Sequence, residues 1–177
     1  MAGVEYFVYG RDRPGSFGLK QRLTEQHWTF VDQYAEQLIA RGPTVNDDDT
    51  ATTGSLHIVD LPDLAAAETF AYDEPYYQAG VFESVLLHRF RNLLGRTMWD
   101  FTGPYDGTDR FLLIGLGEPT PEPASPEHLI VYGELLDDET PIGWVAAVDA
   151  PDRETAASLT QANPTTEIHP WRFGGRR

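Results

Sequence analysis

The chain has 177 residues, 28 acids against 13 bases and a formal net charge of −15. Such a surface repels phosphate backbones and anionic membranes, so neither a nucleic-acid nor a membrane partner is expected. With no cysteine, a disulfide framework and a thiolate metal site are both excluded, and 12% aromatic content argues for a folded globule.

The N-terminus, Met1-Ala2-Gly3-Val4-Glu5-Tyr6, has no basic stretch leading into an apolar one, so no signal peptide is expected. The longest apolar runs, such as Phe111 to Leu116, are too short to cross a bilayer. A cytoplasmic location is the expectation.

In chain order, Val4 to Gly10 reads as a strand broken at Arg11-Asp12-Arg13-Pro14-Gly15. Leu19, Leu23, Phe30, Val31, Tyr34, Leu38 and Ile39 share one helix face, and the helix is expected to run to Ala40 and stop at Arg41-Gly42-Pro43. His27, four after Leu23 and four before Val31, falls on its inward stripe. Asn46 to Thr53 is a polar connection, followed by a strand over Ser55 to Val59. Pro62 suits the first position of the next helix, Asp63 complements its dipole, and Leu64, Ala67, Phe70 and Ala71 face inward. Asp73-Glu74-Pro75-Tyr76 ends that helix, and Val81 to Arg91 is a strand.

This is a β-α-β-β-α-β order, the ferredoxin-like or split βαβ pattern, over residues 1–96. Residues 97–107 read as a linker. Residues 108–177 repeat the pattern in truncated form: strands over Phe111 to Leu116, His128 to Leu135 and Ile142 to Val148, a helix over Asp152 to Ala162, and a strand over Thr166 to Phe173. Where its first helix belongs stand Pro119, Pro121, Pro123 and Pro126, which no helix survives. At one constant offset of 89, Gly54, Val59, Asp60, Pro62, Asp63, Ala67 and Pro75 match Gly143, Val148, Asp149, Pro151, Asp152, Ala156 and Pro164. Turn and core positions are what a repeated unit retains, so the chain reads as an internal duplication.

Gly42-Pro43, Gly54-Ser55, Asp73-Glu74-Pro75-Tyr76 and Ala79-Gly80-Val81-Phe82, with the helix histidine before them, resemble the YciI-like, YCII-related domain family. The second unit resembles it only through Tyr132-Gly133, Asp137-Asp138, Gly143, Asn163-Pro164 and His169-Pro170-Trp171-Arg172. The resemblance implies an α+β fold of ferredoxin-like units forming a dimeric α+β barrel. A homodimer is the expectation, with a monomer the alternative if the two units pair within one chain. It also implies a His–acid pair between His27 and Glu74, which stands where the family has aspartate, or its neighbour Asp73. One branch of the family is linked to dehydrochlorination of a chlorinated hydroxyquinol.

A carboxylate beside a histidine fixes its tautomer and stabilises the imidazolium, so the pair suits a general base, with Ser55 or Tyr76 binding a developing oxyanion. The bland reading makes His27 a hydrogen-bonded core histidine and Glu74-Pro75-Tyr76 a helix stop. His27, His57 and His88 match no metal-ligand spacing, and the last two read as ordinary strand residues. Asp47-Asp48-Asp49 lacks the rest of a Ca²⁺ loop. Neither a metal nor a cofactor is called for. Two functions stay open: a cofactor-independent lyase or isomerase acting on a small polar aromatic or lactone, and a non-catalytic small-molecule-binding or dimerisation module.

Overall fold

The computed structural model describes residues 3–103 and 109–175. Residues 104–107 of the expected linker therefore lie outside the described residues. Contacts divide the chain into two compact units, Met1–His88 with Phe173–Arg177, and Arg89–Arg172.

In the first unit β1 (Val4–Asp12), β2 (Leu38–Val45) and β3 (Thr52–Leu61) form an antiparallel sheet in the order β1-β3-β2. The register places Val8 opposite His57 and Gly10 opposite Ser55, with Arg41 opposite His57 and Pro43 opposite Ser55 from the other side. Because side chains alternate along a strand, Val8, Arg41, Ser55 and His57 share one face. Phe7, Leu56 and Ile58 take the opposite face and are fully buried.

Between β1 and β2 run α1 (Phe17–Arg22) and α2 (Thr24–Asp32). The helix expected to reach Ala40 thus ends at Asp32, and Leu38 to Val45 is strand. Leu38, Ile39 and Ala40 continue the helical spacing by coincidence, and Arg41-Gly42-Pro43 stands inside β2, which has a register shift on either side. After β3 comes α3 (Leu64–Tyr72), capped by Asp63, whose side chain accepts from the Ala66 N–H at 2.9 Å. Pro62 lies before that cap, not at the first helical position. A single turn, α4 (Pro75–Gln78), leads into β4 (Phe82–Asn92).

In the second unit β5 (Asp109–Leu116), β6 (Leu129–Asp137), β7 (Thr140–Ala150) and β8 (Glu167–Trp171) pair antiparallel in the order β8-β5-β7-β6, and the last four residues of β4 pair with β6. The proline-rich stretch from β5 to β6 holds only a 3₁₀ turn at Pro126–His128, as its composition requires. α5 (Arg153–Thr160) is capped by Asp152, 89 residues after the Asp63 cap. The core of this unit gathers Phe111, Leu113, Leu129, Trp144 and Val148, each 5% exposed or less. Each such side chain contributes roughly 1.5–3 kcal/mol by leaving water.

Candidate functional site

The site grows from one helix cap. Glu74 precedes Pro75, which fills the first position of α4, and its Oε2 accepts the Tyr77 N–H at 3.0 Å. The cap turns the other carboxylate oxygen, Oε1, towards α2, where it meets Nδ1 of His27. Both side chains are below a tenth exposed. Neither Glu74 nor His27 could be left alone there without a desolvation cost of several kcal/mol. With Nδ1 engaged, Nε2 is the ring nitrogen left for a ligand.

Tyr76, two residues after the cap, stacks flat on His27 with ring centroids 4.1 Å apart and planes 11° apart. Burial pushes its phenol up to about 12, so it stays protonated and can donate at neutral pH. Its hydroxyl reaches Thr24 Oγ1 at 3.4 Å. Ser55, on the sheet face behind, is 6% exposed. Asp73 is exposed at the C-cap of α3, and the carboxylate that meets His27 is that of Glu74.

Three further side chains were not singled out from the sequence. His57, read there as an ordinary strand residue, is buried with its ring centroid 5.3 Å from that of His27. Burial, reinforced by the charges of His27, Arg41 and Lys20, holds its ring well below the ordinary histidine value, so it is neutral at physiological pH. Lys20, the one lysine of the chain, is 5% exposed and binds Asp12 at 2.9 Å and the Gly54 carbonyl at 3.2 Å. Burial lowers its ammonium and Asp12 partly restores it. Arg41 is 2% exposed and binds Asp32 at 3.0 Å. One signal was present: Lys20, Thr24, His27 and Val31 follow a three-to-four spacing on one stripe.

Together these residues wall a cavity of about 330 Å³ that belongs wholly to the first unit. Lys20, His27, Arg41, Ser55, His57 and Tyr76 all line it. So do Phe173, Gly174 and Gly175, from the far end of the chain. The Gly174 N–H donates to the Arg41 carbonyl at 3.1 Å. Gly175 has φ +71°, and a Cβ there would stand 2.2 Å from the Arg41 guanidinium carbon, so glycine lets the tail lie flat on that side chain. Among the described residues, no cluster of three or more His, Asp or Glu side chains could hold a metal ion.

The family model for the YCII-related domain matches residues 4–91, the stretch that builds the dyad and most of the cavity. Residues 4–91 are a YCII-related domain. It is similar to an uncharacterised protein of Haemophilus influenzae Rd, 28% identical over 95 residues, half of this chain and 97% of that one. Among solved structures, 5-chloro-2-hydroxyhydroquinone dehydrochlorinase of Burkholderia phenoliruptrix AC1100, in complex with 2,5-dihydroxybenzoquinone, is 23% identical with a TM-score of 0.48, over 52% of this chain and 98% of that one. A mutant chlorite dismutase of Candidatus Nitrospira defluvii covers 97% of this chain and 92% of its own, at 7% identity and a TM-score of 0.57. That likeness is one of fold alone. The expected fold class, ferredoxin-like α+β units of the α+β-barrel type, is therefore the one found. No helix among the described residues is long and apolar enough to cross a membrane.

Proposed function

We propose that the cavity of the YCII-related domain is an active site for cofactor-independent lyase or isomerase chemistry on a small polar aromatic or lactone. One observation carries this reading: His27, paired with the buried Glu74, stands at the wall of a cavity large enough for a ligand. Nε2 of His27 takes a proton from the substrate, and Glu74 stabilises the resulting imidazolium through Nδ1–H. The electron pair left behind moves onto a substrate oxygen, which the Tyr76 phenol or the Ser55 hydroxyl binds. Asp73, exposed on α3, has no part in the step.

The proposal extends to the rest of the chain. Residues 108–177 are a truncated copy of residues 1–96, joined through 97–107, a reading supported by helix caps 89 residues apart at Asp63 and Asp152. The protein acts as a homodimer, which the family resemblance supports and sedimentation velocity checks.

The test of the chemistry is a panel of single-ring hydroxyquinols, a chlorinated one included, and unsaturated lactones, followed optically with no cofactor added. Turnover by wild type that His27→Gln abolishes supports the reading. Binding without turnover makes the domain a non-catalytic binding module instead.

A further inference from the structure

Three side-chain pairs surround the cavity: Lys20–Asp12, Arg41–Asp32 and His27–Glu74. In each, the nitrogen member lines the cavity, and none of the three acids does. Glu74 instead lines a small second cavity with Val8, Gly10 and Phe70. The Lys20 and Arg41 pairs are thus dipoles with their positive ends turned inward. No aspartate or glutamate is among the residues that line the cavity, in a chain of net charge −15. Phe17, Trp28 and Phe173 supply apolar wall between these donors. At about 330 Å³ the space lies near the lower end for ligand pockets and suits one ring with its substituents.

We infer that this cavity selects a single-ring organic anion, a carboxylate or phenolate, over neutral and cationic molecules of the same shape. The ring lies against the aromatic wall, and the anionic oxygen turns towards the inward ends of the Lys20 and Arg41 pairs. Neutral His57 and the protonated Tyr76 phenol offer hydrogen bonds without adding charge. Pairing helps at Lys20, because Asp12 offsets the burial that lowers the ammonium. The inference rests on the reading of this cavity as the ligand site, and it holds whether or not catalysis follows.

Benzoate, benzamide and benzamidine share one shape and carry charges of about −1, 0 and +1 at neutral pH. Each is titrated into the full-length protein while the imidazole NMR signals are followed. His27 and His57 report the cavity, and His128 and His169 are controls. Benzoate should bind tightest and benzamidine weakest, on the order of tenfold per step, and only the His27 and His57 signals should move. The double variant Lys20→Met with Asp12→Asn leaves no buried charge alone. It should bring the benzoate-to-benzamide ratio towards one while benzamide binding persists. If that variant fails to fold, Arg41→Gln with Asp32→Asn asks the same question. Equal binding of all three probes, a preference for benzamidine, or an unchanged ratio in the folded variant overturns the anion assignment and leaves the His27–Glu74 reading standing. No binding of any probe at His27 and His57 overturns both.

Discussion

His57→Gln is a direct probe of how dry the cavity wall is. In the folded protein, burial and the nearby charges of His27, Arg41 and Lys20 hold the His57 ring well below 6.5, whereas in the unfolded chain it titrates near 6.5. Below that pH the unfolded state therefore binds more protons. The stability tied to a neutral His57 is complete above about pH 6.5 and is lost as the pH falls. If the folded ring stays neutral throughout, the loss reaches about 2 kcal/mol at pH 5. The substitution also removes a ring packed edge-on against Phe70 at 5.4 Å, but that cost is the same at every pH. Urea unfolding of wild type and variant from about pH 8 to pH 5 separates the two effects. The variant should start less stable and lose about 2 kcal/mol less on acidification. Parallel curves would refute the reasoning, since they would mean that His57 takes up its proton as readily folded as unfolded.

Glu74→Ala removes both the α4 cap and the partner of His27, and should cost about 3 kcal/mol in urea unfolding. Glu74→Gln keeps an acceptor for the cap and should cost about 1 kcal/mol. Asp63→Ala and Asp152→Ala each delete a cap and should cost about 1 kcal/mol, whereas Asp73→Asn, on an exposed side chain, should stay within about 0.5 kcal/mol. Gly175→Val cannot keep φ +71° against Arg41, so hydrogen-exchange protection of the Gly174 N–H, which is bonded to the Arg41 carbonyl, should vanish.

The pairing of His27 with an acid was legible only through the family resemblance, since the residues themselves leave no more than local marks. His27 lies on a helix stripe, and Glu74 stands before Pro-Tyr where a helix must stop. What decided between Glu74 and Asp73 was the cap. A residue at N-cap turns its side chain back over α4, and the residue before it does not. The strand β2 was not legible, because Leu38, Ile39 and Ala40 prolong the helical spacing and Arg-Gly-Pro is a breaker in isolation. It forms a strand only because β3 offers it a partner, a contact that no local pattern records. His57 was passed over for a related reason. Alternation along β3 showed which face it takes, but not that α2 places His27 against that face. Nothing in the sequence pointed to Phe173, Gly174 and Gly175, which reach the cavity through tertiary structure alone.

Proton abstraction by His27 is the centre of this account, and solvent-deuterium exchange reads it without waiting for product. The hydroxyquinol and lactone panel is incubated in D₂O with wild type, His27→Gln and Glu74→Gln, and loss of the acidic C–H signal is followed by NMR. Wild type should exchange at least one member of the panel. Glu74→Gln should slow that exchange by roughly 10²-fold or more, and His27→Gln should reduce it to the buffer rate. Exchange by His27→Gln at the wild-type rate would contradict the account.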